Sequence, residues 1–265
     1  MIEIPFTKLH GAENDFLLTW RADVPEIDLS EAARRICARN TGIGGDGWML
    51  VERVAGGLKT RLFNSDGSEA EISGNGTRCA AAFALLNQAA TSPDVMIETA
   101  AGKKRLRLLE RIGYKFLFEM DMGEPKLEEL HAGLSLQGSS FDATILNVGN
   151  PQCAIFVDSF PANWRELGRT AERHPRFPRG SNVSFVRVLD PHTIDVLFFE
   201  RGAGETRSSG TGSTGAAAAA ILRKACESPV EVRTPAGSLR LRWNQSVFLT
   251  GPAELVGEGR FFVEF

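Results

Sequence analysis

Ser73-Gly74-Asn75-Gly76-Thr77-Arg78-Cys79-Ala80-Ala81-Ala82 and Ser209-Gly210-Thr211-Gly212-Ser213-Thr214-Gly215-Ala216-Ala217-Ala218 read as one segment written twice, at an offset of 136 positions (209 less 73). Without a gap, the same offset carries Leu85-Leu86 onto Ile221-Leu222. Running backwards it pairs Glu69 with Glu205, Asn64 with Glu200, Asp46 with Asn182, Gly44 with Gly180 and Asn14 with Asn150. Thr99-Ala100-Ala101-Gly102 then matches Thr234-Pro235-Ala236-Gly237 after the loss of one residue. Simple composition could align the Gly/Ala runs alone, but it would not also bring Asn14, Gly44 and Glu69 into register. The period is far longer than a solenoid unit, so the chain reads as two homologous lobes related by a pseudo-twofold axis, with the natural cleft between them.

Within each half, segments such as Gly47-Trp48-Met49-Leu50-Val51 and Lys59-Thr60-Arg61-Leu62-Phe63 read as strands separated by Gly-rich turns. The Ala-rich stretch behind each Ser-Gly-x-Gly is apolar almost all round, and a helix without a polar face must be buried. The expected fold is therefore α/β in the α+β sense: two lobes, each a mostly antiparallel sheet wrapped around a central helix. The lobes are expected at 1–122 and 123–265, with C-terminal residues completing the first.

The bulk composition narrows the function. At 265 residues and 43% hydrophobic content the chain can bury one large core or two smaller ones. Its 30 basic and 33 acidic residues nearly cancel, leaving no basic stripe for nucleic acid. Met1-Ile2-Glu3-Ile4-Pro5-Phe6 has neither a positive leader nor an apolar run, and no stretch reaches the roughly 18 apolar residues of a membrane span, so a cytosolic protein is expected. Cys37, Cys79, Cys153 and Cys226 are scattered without metal-ligand spacing and read as buried small residues. Gly42-Ile43-Gly44-Gly45-Asp46-Gly47 satisfies G-x-G-x-x-G, but it leads into a strand where a dinucleotide site needs a helix. The lysines sit in no Schiff-base context, so neither a nucleotide cofactor nor pyridoxal phosphate is expected. The expected partner is a small-molecule amino acid; a homodimer is compatible with the sequence and not required by it.

Two Ser-Gly-x-Gly helix entries suggest the chemistry. Small residues let a ligand approach the backbone, first-turn N–H groups lack intrahelical acceptors, and the helix dipole favours an anion. Serine is also a good N-cap, which is the plain alternative for either copy alone. Asn14, Asn64, Asn150, Asn182 and the pair Glu200-Arg201 add polar groups in the repeat's register. An arginine can grip a carboxylate bidentately, and asparagine can both donate and accept, which suits an amino-acid head group.

Leu9-His10-Gly11-Ala12-Glu13-Asn14-Asp15-Phe16, Asn64-Ser65-Asp66-Gly67-Ser68-Glu69-Ala70, Gly74-Asn75-Gly76-Thr77-Arg78-Cys79, Asn150-Pro151 and Glu200-Arg201-Gly202-Ala203-Gly204-Glu205-Thr206 resemble, in order and across essentially the whole chain, the signatures of the diaminopimelate epimerase family. The resemblance implies a cofactor-independent enzyme interconverting LL- and meso-diaminopimelate, in which two cysteines flank the α-carbon as base and acid. Ser73 and Ser209 stand at those two catalytic positions. By the same resemblance Gly74, Asn75, Gly210 and Thr211 would hold the reacting carboxylate. Asn64, Asn150, Asn182 and Arg201 would bind the distal head group, with Asn14 and Glu200 completing the pocket.

This chain departs from the family pattern at three positions: both cysteines are serine, and Gln152 stands where the family has a histidine. An alkanol is a weaker acid than a thiol by roughly 5 units, so a free alkoxide costs about 7 kcal/mol more than a thiolate. Four readings stay open: an epimerase of altered activity, a racemase for another amino acid, a ligand-binding pseudoenzyme, and a cysteine-to-serine variant.

Overall fold

The computed structural model describes residues 2–264 and divides into two compact units, Met1–Met120 with Gly251–Phe265, and Asp121–Thr250. In the first, β1 (Ile2–Gly11) and β2 (Asn14–Trp20) are followed by α1 (Leu29–Cys37), β3 (Gly47–Val54), β4 (Gly57–Asn64) and β5 (Glu69–Ala70). Then come α2 (Gly74–Leu86), β6 (Asp94–Thr99), β7 (Gly102–Ile112) and β8 (Lys115–Gly123). The second unit holds β9 (Lys126–Leu136), β10 (Ser139–Asn147), β11 (Pro151–Phe156), α3 (Trp164–Glu172), β12 (Asn182–Asp190), β13 (Thr193–Glu200) and β14 (Gly204–Thr206). It continues with α4 (Gly210–Leu222), β15 (Val230–Thr234), β16 (Gly237–Asn244) and the start of the long β17 (Ser246–Val263), whose later residues belong to the first unit.

The strand order within the first unit closes on itself. β1 pairs antiparallel with β2, β2 parallel with β3, β3 antiparallel with β4, and β4 parallel with β6. β7 and β8 follow by antiparallel pairing. β17 pairs with β8 and, antiparallel, with β1. The Lys115–Glu254 ion pair, at 3.1 Å, lies along the β8–β17 seam. Closure leaves α2 inside, and every described residue from Gly74 to Ala84 is buried. The second unit repeats the pattern: β11 and β12 parallel, β12 and β13 antiparallel, β13 and β15 parallel, β15 and β16 antiparallel, with α4 buried from Gly210 to Ala220. The fold is thus two lobes, each a mostly antiparallel sheet around a central helix. Gly44 and Gly180, which the offset pairs, both adopt the left-handed backbone, at φ 79° and 71°.

Strands buried on both faces explain the unbroken apolar runs. In β13, Phe198 faces α4, where a Cβ on Gly212 would stand 2.7 Å from its ring, while Phe199 packs outward against Gly168 of α3. In β3, Met49 faces Gly76 of α2, whereas Trp48 and Leu50 join the outer core beneath α1. The outer helices α1 and α3 are elements the sequence reading did not identify. α1 carried a usable signal: Asp28 caps it by accepting the N–H of Glu31 at 3.0 Å, and Ala32, Ala33, Ile36 and Cys37 form its buried stripe.

Among the described residues no helix is long and apolar enough to cross a membrane.

Candidate active site

Each buried helix starts in the same way. Ser73 is the N-cap of α2 and its Oγ accepts the N–H of Gly76 at 3.0 Å; Ser209 is the N-cap of α4 and accepts from Gly212, also at 3.0 Å. The third helical residue has to be glycine. A Cβ on Gly212 would lie 2.9 Å from Ser209 Oγ as well as against Phe198, and one on Gly76 would lie 2.9 Å from the Met49 methyl. Close packing of strand against helix start thus presses the capping serine into place, with the positive end of the helix dipole beside its hydroxyl.

The surroundings of the two serines differ. Ser209 Oγ donates to Glu200 Oε1 at 2.6 Å, and Thr206 holds the other carboxylate oxygen at 2.7 Å. Glu200 ends β13 and Thr206 ends β14, so the hairpin between them sets the carboxylate against the helix cap. The position corresponding to Glu200 in the first unit is Asn64, whose Nδ2 donates to Ser68 Oγ at 3.0 Å within its own turn. Ser73 therefore has no carboxylate from that position.

The asparagines fall into networks that respect the repeat. In the first unit Asn75 Nδ2 donates to Asn14 Oδ1 at 3.2 Å; in the second, Asn150 Nδ2 donates to Thr211 Oγ1 at 3.4 Å. These are corresponding pairs with the donor direction reversed. Asn14 Nδ2 also donates to Asp46 Oδ2 at 2.6 Å. Asn182, the counterpart of Asp46, donates to the Pro151 carbonyl at 3.0 Å and accepts the Arg201 N–H at 3.1 Å. The Arg201 guanidinium reaches the Arg179 carbonyl at 3.4 Å, its stem packed near Gly180. Gln152 donates to Asn150 Oδ1 at 2.7 Å, while its own Oε1 is buried without a hydrogen-bond partner.

In the first unit the structure joins Asn14 and Asn75. In the second it joins Ser209 with Glu200, Asn150 with Thr211, and Asn182 with Arg201. Asn64 remains in the adjacent turn, connected through the Ser65 N–H to the Asp46 carbonyl at 3.2 Å. Sequence reasoning missed Arg78, Asp46 and Thr206 as members of these networks. Arg78 had a signal, being the one charge in an otherwise apolar helix.

Charge is unevenly distributed around the first unit's network. Burial works against ionising Asp15, but hydrogen bonds from Arg39 and Lys8 outweigh it and hold its carboxyl below the usual range. Burial, with repulsion from Asp15, pushes Asp46 the other way. All four cysteines are buried, and desolvation raises Cys37, Cys79 and Cys153 to about 12, so none of these three offers a thiolate in place of the serines.

Known proteins resemble this chain in sequence and in fold. A family model described as diaminopimelate epimerase matches residues 6–128 and 144–256. The diaminopimelate epimerase of Moorella thermoacetica is 38% identical, covering 97% of this chain and 98% of its own length. That of Carboxydothermus hydrogenoformans is 36% identical over 97% and 99%. Among solved structures, a hydroxyproline epimerase from Agrobacterium vitis superposes with a TM-score of 0.73 at 16% identity, covering 98% of this chain and 92% of that one. A PhzF-family phenazine biosynthesis protein from Bacillus anthracis gives 0.73 at 14%, covering 99% and 100%; at such identities the likeness is one of fold. With the family model and these relatives spanning nearly its full length, the chain belongs to the diaminopimelate epimerase family.

Proposed function

We propose that this protein interconverts LL- and meso-diaminopimelate by moving the proton at one α-carbon, without a cofactor, with Ser209 and Ser73 as its two proton carriers. The observation that carries the reading is the Ser209–Glu200 hydrogen bond at a helix N-terminus. As the Cα–H bond breaks, the proton passes to Ser209 Oγ while the Ser209 proton passes to Glu200. No free alkoxide then forms on that side, which removes much of the alkanol penalty of about 7 kcal/mol. The electron pair moves into the substrate carboxylate, where first-turn N–H groups at Gly74, Asn75, Gly210 and Thr211 stabilise it.

Return of a proton to the opposite face falls to the Ser73 hydroxyl, which takes a proton from water in the same step so that no free alkoxide is left there. The hydroxide so formed is neutralised by the proton held on Glu200. Among the described residues no carboxylate hydrogen-bonds Ser73 as Glu200 does Ser209, so on this face water takes the place of the carboxylate in the relay. Asn64, Asn150, Asn182 and Arg201 hold the distal amino-acid group, with Asn14 steadying Asn75. The setting that accompanies this reading is lysine biosynthesis in the cytoplasm, with a homodimer as the form to look for by light scattering.

The test is exchange in deuterated water: the protein, given LL-diaminopimelate, should wash deuterium into Cα and form the meso isomer. Gln152 in place of histidine favours a second reading, binding without turnover. Tight binding of diaminopimelate with no deuterium uptake would establish that reading, and turnover of a different amino acid would replace the substrate.

A further inference from the structure

Arg78 lies in the first two turns of α2 and is fully buried, at 0% exposure. Its guanidinium donates to three neutral acceptors: the Pro252 carbonyl through Nε at 3.0 Å, the Gly74 carbonyl at 3.4 Å, and Asn75 Oδ1 at 2.5 Å. No carboxylate among the described residues pairs with it. A buried cation without a counter-charge is costly, and desolvation lowers this one to about 10. The surrounding chain nevertheless makes room for it. A Cβ on Gly11 would stand 3.2 Å from its Nη2, so glycine there leaves the space the guanidinium fills.

The hydrogen bonds run in one direction. Arg78 donates to Asn75 Oδ1, Asn75 Nδ2 donates to Asn14 Oδ1, and Asn14 Nδ2 donates to Asp46 Oδ2. With a cation at one end and a carboxylate at the other, both amides can face only one way. The corresponding position in α4 is Thr214, a neutral residue whose Oγ1 donates to the Gly210 carbonyl at 2.8 Å. The extra charge therefore belongs to one helix start and is no requirement of the shared fold.

We propose that Arg78 is a positioning residue for an anionic ligand group at the first turn of α2: it fixes the Asn75 amide, and its unmatched charge takes a bound carboxylate as counter-ion. The inference rests on reading that turn as a carboxylate site. It requires no particular substrate, and any α-carboxylate would serve.

Acetate is the probe. Titrated at constant ionic strength against the isotope-labelled protein, it should move the Gly74 amide resonance saturably. Arg78→Met should weaken that affinity at least tenfold, and Arg78→Lys, which restores charge but not the planar fork, should stay within about threefold of the parent. A merely structural arginine would lower the unfolding temperature and leave the affinity of the folded fraction alone. Should Arg78→Met fail to fold, Gly11→Ala keeps every charge but displaces the guanidinium, and a severalfold loss is expected. Equal acetate affinity in the parent and the variants, or no saturable shift in the parent, overturns the proposal. A parent that binds acetate through Arg78 yet exchanges no diaminopimelate upholds it and removes the substrate reading instead.

Discussion

Ser209 Oγ and Glu200 Oε1 stand 2.6 Å apart, with the serine proton directed at the carboxylate. If the carboxylate takes the Ser209 proton as the serine takes the one from Cα, Glu200→Gln should cut deuterium incorporation at Cα by about 10²–10⁴-fold, the usual worth of a general base. Diaminopimelate affinity by calorimetry should change little, because an amide oxygen can still accept the serine hydroxyl. An unaltered exchange rate would show that the carboxylate serves only to cap the hairpin.

Sulfur at both carriers, Ser73→Cys with Ser209→Cys, should raise exchange by orders of magnitude. A helix N-terminus favours a thiolate, whereas it supplies only a fraction of the energy an alkoxide needs. Each single replacement should help less, since inversion needs a base on one face and an acid on the other. The gain should be greater for Ser73→Cys than for Ser209→Cys, because Glu200 opposes a second negative charge beside it. Steady-state exchange of the three variants checks the order.

Gly212→Ala places a methyl 2.7 Å from the Phe198 ring and 2.9 Å from Ser209 Oγ. Overpacking of this kind costs about 1–3 kcal/mol. The thermal midpoint should fall by several degrees and activity should fall further than stability, as the serine is pushed off Glu200. Gly133→Ala, whose added Cβ meets nothing within 4 Å, is the control for a methyl added without overpacking.

Asp15 gives a pH dependence of definite sign. Its folded pKa lies below the ordinary value of 3.8, so the native state binds fewer protons than the unfolded chain as the pH falls toward that value. The stability Asp15 contributes is therefore complete above the unfolded pKa and is lost as pH drops through the folded one. Asp15→Asn should lower the melting temperature at pH 7 and flatten its decline as the pH falls through the unfolded pKa and below. Parallel melting curves for parent and variant would remove Asp15 from the acid response.

The duplication, the two inner helices and their serine caps were legible in the sequence because they rest on local chemistry: serine at an N-cap, glycine where backbone crowds backbone, alanine where a helix has no wet side. The outer helices were less so. Leu29–Cys37 and Trp164–Glu172 are short and sit between strands already apolar on both faces, so their stripes merge into the surrounding hydrophobic background. Arg78 shows the other limit. A lone charge in a buried helix is visible in sequence, but its partners lie at Pro252 and in a side-chain relay, and no spacing rule links residues 174 positions apart.

β17 gives the first lobe a particular history. The strand segment that seals it between β1 and β8 is synthesised only after the whole of Asp121–Thr250. Until then the nascent lobe has two open sheet margins, and the carbonyl of Pro252 is not yet there to meet Arg78. The second lobe, whose neighbours in space are closer in sequence, is free to mature first. The first lobe therefore completes its sheet late, and until β17 pairs with β1 and β8 its open strand margins are exposed to aggregation.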